Sequence, residues 1–74
     1  MNLKWKKYQG THYCYDEEYG RIVGEMYENV LTGHVTAWID SLSEPKEKFG
    51  TWLTVKDGKA ALENEIEYRD RYNL

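Results

Sequence analysis

The amino-acid sequence predicts an α+β fold: a three- to four-stranded antiparallel meander followed by one C-terminal helix that packs on one face of the sheet. Three observations predict it. Short segments rich in Tyr, Trp, Val, Ile and Thr are separated by turn signals about 8–13 residues apart, as in a meander. The pattern then changes to a helical period after residue 54. Finally, 74 residues with 41% hydrophobic composition have the size and apolar content of one small folded domain.

Turn signals divide the first part of the chain into strand-like segments. Glycine, proline and asparagine mark turns near residues 10, 20, 28–33 and 41–45. The segments between these turns are residues 11–16, 21–27, 34–40 and 46–51. Residues 3–8 alternate as well, with Leu3, Trp5 and Lys7 against Lys4, Lys6 and Tyr8. We therefore predict the sheet over residues 11–53, preceded by a basic N-terminal arm or an edge strand over residues 1–10.

Residues 54–71 are predicted to form the helix. Thr54 is a candidate N-cap, because a threonine hydroxyl accepts a hydrogen bond from a free backbone N–H of the first turn. Glu65 and Arg69 form an i,i+4 pair in the favourable order. One apolar stripe at helical spacing contains Val55, Ala61, Leu62 and Ile66. This stripe is expected to cover one face of the sheet.

Strand alternation predicts which side chains the helix covers, because successive residues of a strand point to opposite faces. The predicted core is Val35, Ala37, Ile39, Phe49, Leu53, Leu62 and Ile66, with Ile22 or Val23 from the preceding strand. The same alternation leaves Trp38 and Trp52 together on the face that the helix does not cover. Two tryptophans in that position indicate either a second small core or a binding surface.

The second half of the chain carries a family resemblance. It combines a strand reading Val-Thr-Ala-Trp-Ile, a turn, the sequence Phe-Gly-Thr-Trp at 49–52 and a helix containing Lys-Ala-Ala-Leu-Glu at 59–63. This order resembles the sheet-plus-helix domains of phage integrase arms and of plant ethylene-response-factor DNA-binding domains. The resemblance implies an uncovered sheet face that reads DNA, which those domains do with several arginines and a tryptophan. Here that face would offer Trp38, Trp52, Thr36, Lys48 and Arg21, with Asp40 beside them.

Charge is unevenly distributed along the chain. The formal net charge is −3. Residues 1–15 contain three lysines and no acid, whereas residues 16–47 contain eight acids against two basic residues. An acidic balance argues against a sequence-general nucleic-acid binder, because such proteins gain most of their affinity from Lys and Arg contacts to phosphates. The acidic middle of the chain favours a basic, protein-type partner.

Nothing in the sequence indicates catalysis, a cofactor or a metal. Cys14 is the only cysteine, so no disulfide can form within the chain. His12, Cys14 and His34 lack the spacing of a metal site. A nucleophilic Cys14 would need a lowered pKa, and the neighbouring Asp16 and Glu17 are expected to raise it. We predict a non-enzymatic protein without cofactors, in which Cys14 serves as a small apolar residue.

The leading hypothesis is a small interaction protein that binds and inhibits a host protein. In size, acidity and aromatic content the chain is similar to accessory proteins encoded by phages, many of which block a host defence enzyme such as a CRISPR effector. That similarity, and the lack of an apolar run long enough for a membrane span, predict the cytoplasm, namely the host cytoplasm for a phage protein. Surplus tyrosines in the first third of the chain indicate an interface or cross-strand pairing. The predicted partner-binding residues are Trp38, Trp52, Asp40, Glu25, Glu28, Tyr27 and Tyr19.

Two alternatives remain open at this stage. The first is a small nucleic-acid-binding domain that uses the uncovered sheet face and the basic N-terminal segment, with Lys4, Trp5, Lys6, Lys7 and Arg21 as the contacting residues.

Under the leading hypothesis, the host protein is itself expected to be a nucleic-acid-binding effector, and the acidic stretch of this chain would occupy its groove. The second alternative is a twofold homodimer in which Trp38 and Trp52 pack against their copies.

Overall fold

The computed structural model describes residues 2–40 and 46–72, and it has the α+β architecture expected. Its elements in chain order are β1 (Leu3–Tyr8), β2 (Thr11–Asp16), β3 (Arg21–Glu28), β4 (Val35–Ile39), β5 (Glu47–Trp52) and α1 (Val55–Arg71). The five strands form one antiparallel sheet in the order β1-β2-β3-β4-β5. The sheet therefore has one strand more than the three to four predicted. The turn predicted at 41–45 lies outside the described residues.

The additional strand is β1, and a tight turn explains why residues 3–8 pair instead of forming a free arm. Gln9 and Gly10 connect β1 to β2, with φ angles of 49° and 83°. A two-residue loop with both φ values positive is the type I′ connection, whose twist matches that of the flanking strands. Six residues of β1 then pair with all six of β2, from Leu3 opposite Asp16 to Tyr8 opposite Thr11.

Two β-bulges interrupt the strict alternation of the sheet. In the first, Cys14 opposes Gly24 and Tyr15 opposes Ile22, so that Val23 is an extra residue in β3. In the second, the pairing shifts between Ala37 and Trp38 of β4, which makes Phe49 the extra residue in β5. A bulge places two successive residues against one partner and changes the face to which the following residues point.

Helix α1 begins as the sequence predicts. The Thr54 hydroxyl accepts a hydrogen bond from the Asp57 backbone N–H at 3.1 Å. Gly58 then brings the helix very close to the sheet, since a Cβ atom at this position would lie 2.6 Å from Met26 Sδ and 2.7 Å from Val35 Cγ2. The helix packs on β3, β4 and β5. Among the described residues, no helix is both long and apolar enough to cross a membrane.

The core lies between α1 and one face of the sheet. Its buried members are Cys14, Val23, Met26, Val35, Ala37, Ile39, Leu62 and Ile66. Val23 is thus the core residue of the predicted Ile22/Val23 pair, because the first bulge turns Val23 inward. The prediction for Leu53 was wrong: the side chain follows the end of β5 and is 72% exposed. Phe49 is only half-buried against the core.

Candidate binding face of the sheet

The face of the sheet opposite α1 carries three rows of side chains, which we call the open face. Residues directly opposed in an antiparallel sheet point to the same side, so the register defines each row. The first row is Lys4, Tyr15 and Ile22; the second is Lys6, Tyr13, Glu25, Trp38 and Lys48; the third is Tyr8, Thr11, Tyr27, Thr36 and Thr51. No element formed by residues 2–40 and 46–72 packs on these rows.

Aromatic side chains dominate the open face. Tyr8 and Tyr27 are 61% and 52% exposed, although both belong to regular strands. Tyr13, Tyr15 and Trp38 are half-buried by their neighbours in the rows. Tyrosine and tryptophan combine a large apolar ring with a polar group, which makes such surfaces suitable for contact with another molecule.

One ion pair crosses the middle of the open face. Lys46 Nζ lies 2.7 Å from Glu25 Oε2 and 5.6 Å from the centre of the Trp38 ring. The hydrogen bond from Lys46 to Glu25 raises the pKa of the lysine. Asp40, at the border of this group, has a pKa raised first by burial and then by the nearby Glu25. Glu25, the single carboxylate of the three rows, is therefore neutralised by an adjacent cation.

The two sides of the molecule carry opposite charge. Among the described residues, five cations lie in or directly beside the rows, namely Lys4, Lys6, Arg21, Lys46 and Lys48, against the carboxylates of Glu25 and Asp40. The open face therefore has a local charge of +3. Because the whole chain carries −3, the remaining residues account for −6. Helix α1 contributes −1 to this sum, with five acids (Asp57, Glu63, Glu65, Glu67 and Asp70) against four basic residues (Lys56, Lys59, Arg69 and Arg71).

A cavity of about 520 Å³ opens on the β1–β2–β3 part of this face. We call it the tyrosine cavity, and its lining residues are Lys6, Tyr8, Tyr13, Tyr15, Gly20, Arg21 and Ile22. The first bulge contributes to it, since the shift in pairing places Ile22 opposite Tyr15. Among the described residues, the lining contains three phenol rings and two cations and no carboxylate.

The structure brings together only some of the predicted partner-binding residues. Trp38, Glu25 and Tyr27 lie on the open face, and Asp40 lies at its border. Tyr19 belongs to the turn between β2 and β3 and is highly exposed. The prediction that Trp52 lies beside Trp38 on the uncovered face was wrong.

Trp52 lies on the α1 side of the sheet because the second bulge adds one residue to β5. It opposes Val35, and its ring centre is 5.3 Å from that of Phe49. Glu28 also lies on this side, since it opposes Val35 in β3. Its carboxylate is 3.2 Å from His12 Nε2 and 3.8 Å from Lys7 Nζ.

The basic residues predicted for nucleic acid divide between the two faces. Lys4 and Lys6 belong to the open face, and Arg21 lines the tyrosine cavity. Trp5 and Lys7 point to the α1 side, opposite Cys14 and His12 respectively. Trp5 and Lys7 belong to β1, the edge strand of the sheet, which is the second of the two forms predicted for residues 1–10.

Trp5 connects β1 to the helix. Its indole Nε1–H donates a hydrogen bond to the Glu63 carboxylate, and Lys59 Nζ lies 5.3 Å from its ring centre. The connection spans 58 residues of sequence and holds the edge strand against the second layer. Trp5 is therefore a structural residue, and it is not available to stack on a ligand.

Sequence reasoning did not assign Tyr8, Tyr13, Tyr15, Ile22 and Lys48 to one site. The signal for the tyrosines was their alternation with His12, Cys14 and Asp16 along β2. Taken alone, that alternation does not reveal which face of β2 is buried, because the buried face contains two polar residues, His12 and Asp16. Their polar groups have partners: His12 contacts Glu28, and Asp16 Oδ1 accepts a hydrogen bond from the Glu18 backbone N–H.

Cys14 is fully buried beneath α1. Burial, followed by the charges of Glu63, Asp16 and Glu67, raises the pKa of its thiol to about 12. The direction agrees with the expectation for a cysteine among acids. Among residues 2–40 and 46–72, no group of three or more His, Cys, Asp or Glu side chains is arranged to hold a metal ion.

The loop between β3 and β4 presents two aliphatic side chains to solvent. Val30 and Leu31 are 86% and 91% exposed. The loop is nonetheless well ordered by hydrogen bonds: Asn29 Oδ1 accepts from the Leu31 N–H at 2.9 Å, and Asn29 O accepts from the Gly33 N–H at 2.7 Å. An ordered tip with two exposed aliphatic residues is a second candidate contact.

Comparison of the chain with family models, with curated proteins and with solved structures found no match.

Proposed function

We propose that this chain is a non-enzymatic protein that binds single-stranded nucleic acid on the open face of its sheet. The observation that carries the proposal is the register, which interleaves Lys4, Lys6 and Lys48 with five aromatic rings on one surface. Proteins that bind single strands combine aromatic rings, on which bases stack, with cations that neutralise the phosphates. An antiparallel sheet that presents aromatic residues in this way is a known platform for two or three bases.

The overall charge of −3 does not oppose this proposal, because the acids lie mainly on the other side of the molecule. Packed layers of secondary structure are about 10 Å apart. The Debye length at about 0.1 M salt is also ~10 Å, so the acids of α1 are largely screened from a strand bound to the sheet. What the ligand meets is the local charge of +3.

The width of the sheet favours a single strand over a duplex. Five strands spaced about 4.8 Å apart span ~19 Å. The major groove of B-DNA is about 12 Å wide, which suits a helix or a narrower ribbon of strands. Three strands, which span ~10 Å, would fit where five do not. The resemblance to phage integrase arms and ethylene-response-factor domains stays a prediction, and the ligand we propose differs from the duplex that those domains read.

The proposal is tested by the fluorescence anisotropy of a labelled thymidine oligomer of about twelve nucleotides, measured between about 50 and 200 mM salt. Contacts from three lysines predict a slope of about −2 for log K against log salt, since each phosphate contributes ~0.7. Lys6→Glu is expected to weaken binding strongly. Lys56→Glu, on the exposed side of α1, makes the same change in net charge and is the control. No binding at the lowest salt would contradict the proposal.

A second candidate function is the one favoured by the sequence, the binding of a host protein. The exposed pair Val30 and Leu31 on an ordered loop supports it, because aliphatic side chains at an ordered tip lose little entropy when a partner buries them. A phage origin and a defence effector as the target stay predictions. The test is a pull-down in which Leu31→Ser abolishes capture of a saturable partner while Leu53→Ser, an equally polar change at another exposed leucine, retains it.

Only one of the two tryptophans that suggested a homodimer lies on the open face. Trp38 and Trp52 lie on opposite faces, so they do not form one apolar patch that a twofold axis would duplicate. Any dimer through the open face would involve Trp38 and the tyrosines. Light scattering at two protein concentrations, with Trp38→Ala as the variant, measures this directly.

A further inference from the structure

The tyrosine cavity has the size of a ligand site and a defined chemistry. Its volume of about 520 Å³ lies within the range of about 300–1,000 Å³ that is typical of small-molecule sites. The phenol rings of Tyr8, Tyr13 and Tyr15 and the aliphatic Ile22 provide apolar walls. Lys6 and Arg21 provide positive charge. A planar aromatic group attached to an anion complements this combination better than a purely apolar or a cationic ligand does.

Two tyrosines of β2 border the cavity. Tyr13 and Tyr15 are two residues apart in the strand and face the same side of the sheet. Both side chains line the cavity, so a planar group inside it can contact either ring.

Gly20 lies at the edge of the cavity, in the turn between β2 and β3. Its φ of +66° is a left-handed conformation that favours glycine. Ile22, on the other side of Arg21, is 46% exposed and remains accessible to a ligand.

From these features we infer that the tyrosine cavity holds one unpaired nucleobase of the bound strand, with a flanking phosphate on Lys6 and Arg21. This inference rests on the function proposed above and names the subsite within that face. A base in a duplex is stacked on both of its faces and paired along one edge, so only an unpaired base can enter. The subsite would therefore add preference for single strands to the electrostatic attraction of the face.

The test compares the thymidine oligomer with an oligomer of the same length that consists of abasic residues. Both probes carry the same phosphates, so their difference reports the bases alone. We expect the abasic oligomer to bind about tenfold more weakly. Tyr15→Ala should weaken binding of the thymidine oligomer about tenfold and leave the abasic oligomer unaffected. Tyr68→Ala, an exposed tyrosine on α1, is the matched control and should change neither.

A second variant keeps the test valid where loss of Tyr15 affects folding. Tyr15→Leu keeps an apolar side chain at this half-buried position but removes the ring, and it should reproduce the selective loss. An equal loss of affinity for both oligomers on Tyr15→Ala, or no loss for either, would overturn the subsite and leave the proposed function intact. Equal affinity of the unaltered protein for the two oligomers would overturn the subsite and also the stacking on aromatic rings that the proposed function uses. Absence of binding by either oligomer would instead overturn the proposed function and the subsite with it.

Discussion

Trp38 and Trp52 lie on opposite faces of the sheet although they belong to neighbouring strands. Trp38 opposes Glu25 on one side and Lys48 on the other, whereas Trp52 opposes Val35 and packs beside Phe49. The bulge in β5 separates them by adding one residue between their positions in the register. One tryptophan therefore packs against the core, and the other lies on the open face.

The two tryptophans are expected to differ in their effect on stability. Trp52→Ala removes a ring that packs against the core and should lower the free energy of unfolding by about 2 kcal/mol, less than for a fully buried tryptophan. Trp38→Ala should cost less than half of that. Urea denaturation of the two variants measures the difference. Equal losses would contradict the assignment of the two rings to different faces.

Gly58→Ala should destabilise the protein even though alanine is the better helix former. Propensity alone would favour the variant by about 1 kcal/mol. The new methyl group would lie 2.6–2.7 Å from Met26 and Val35, so we expect a net loss of about 1–3 kcal/mol from overpacking. Ala60→Gly, at an exposed position of the same helix, should lower the free energy of unfolding by about 1 kcal/mol. This variant measures the difference in helix propensity between alanine and glycine without a change in packing. A gain in stability on Gly58→Ala would show that α1 is not held this close to the sheet.

The thiol of Cys14 should be almost unreactive in the folded protein. With its pKa raised from 9.0 to about 12, the thiolate is scarce at pH 8, and burial blocks the reagent. Labelling by a thiol reagent is expected only after unfolding in urea, and rapid stoichiometric labelling without urea would contradict this.

The same pKa predicts how stability depends on pH. The unfolded chain releases the thiol proton near pH 9, whereas the folded chain retains it to about pH 12. The unfolded state therefore binds fewer protons in this range, and stability falls as the pH rises through it. Cys14→Ala should flatten the decline between about pH 9 and 11, as measured by urea titrations. A decline of unchanged slope would contradict the contribution of this group.

Glu25→Gln should strengthen binding of the thymidine oligomer. It removes the single carboxylate of the open-face rows and releases Lys46 from its ion pair, and one unit charge interacts with a phosphate about 8 Å away in water by ~0.5 kcal/mol. A gain of about twofold is therefore expected from anisotropy titrations at low salt. Glu65→Gln, which makes the same change on α1, should have a smaller effect. A stronger gain from the α1 variant would contradict the separation of charge between the two sides.

Much of the fold is encoded locally and could be predicted. The Thr54 cap follows from the chemistry of one side chain, and Val35, Ala37 and Ile39 follow from the period of a strand without irregularities. Residues 3–8 also showed the alternation of a strand, but whether such a segment pairs depends on its turn. Gln9 is a non-glycine residue with positive φ, which single-residue preferences do not favour.

The candidate site was harder to predict because it depends on register. Val23 and Phe49 are the extra residues of the two bulges, and their residue types do not predict it. One unrecognised bulge was enough to move Trp52 to the wrong face. The open face combines residues of five strands, and its composition is defined only when the pairing of every strand is known.

The length of the turn at Gln9 and Gly10 determines which side of the sheet each side chain of β1 occupies. Side chains of a strand change sides when its pairing shifts by one position. A single inserted codon that moved β1 by one residue would turn Lys4 and Lys6 toward the helix and expose Trp5. The cationic character of the face thus depends on the length of a turn that itself carries no charge.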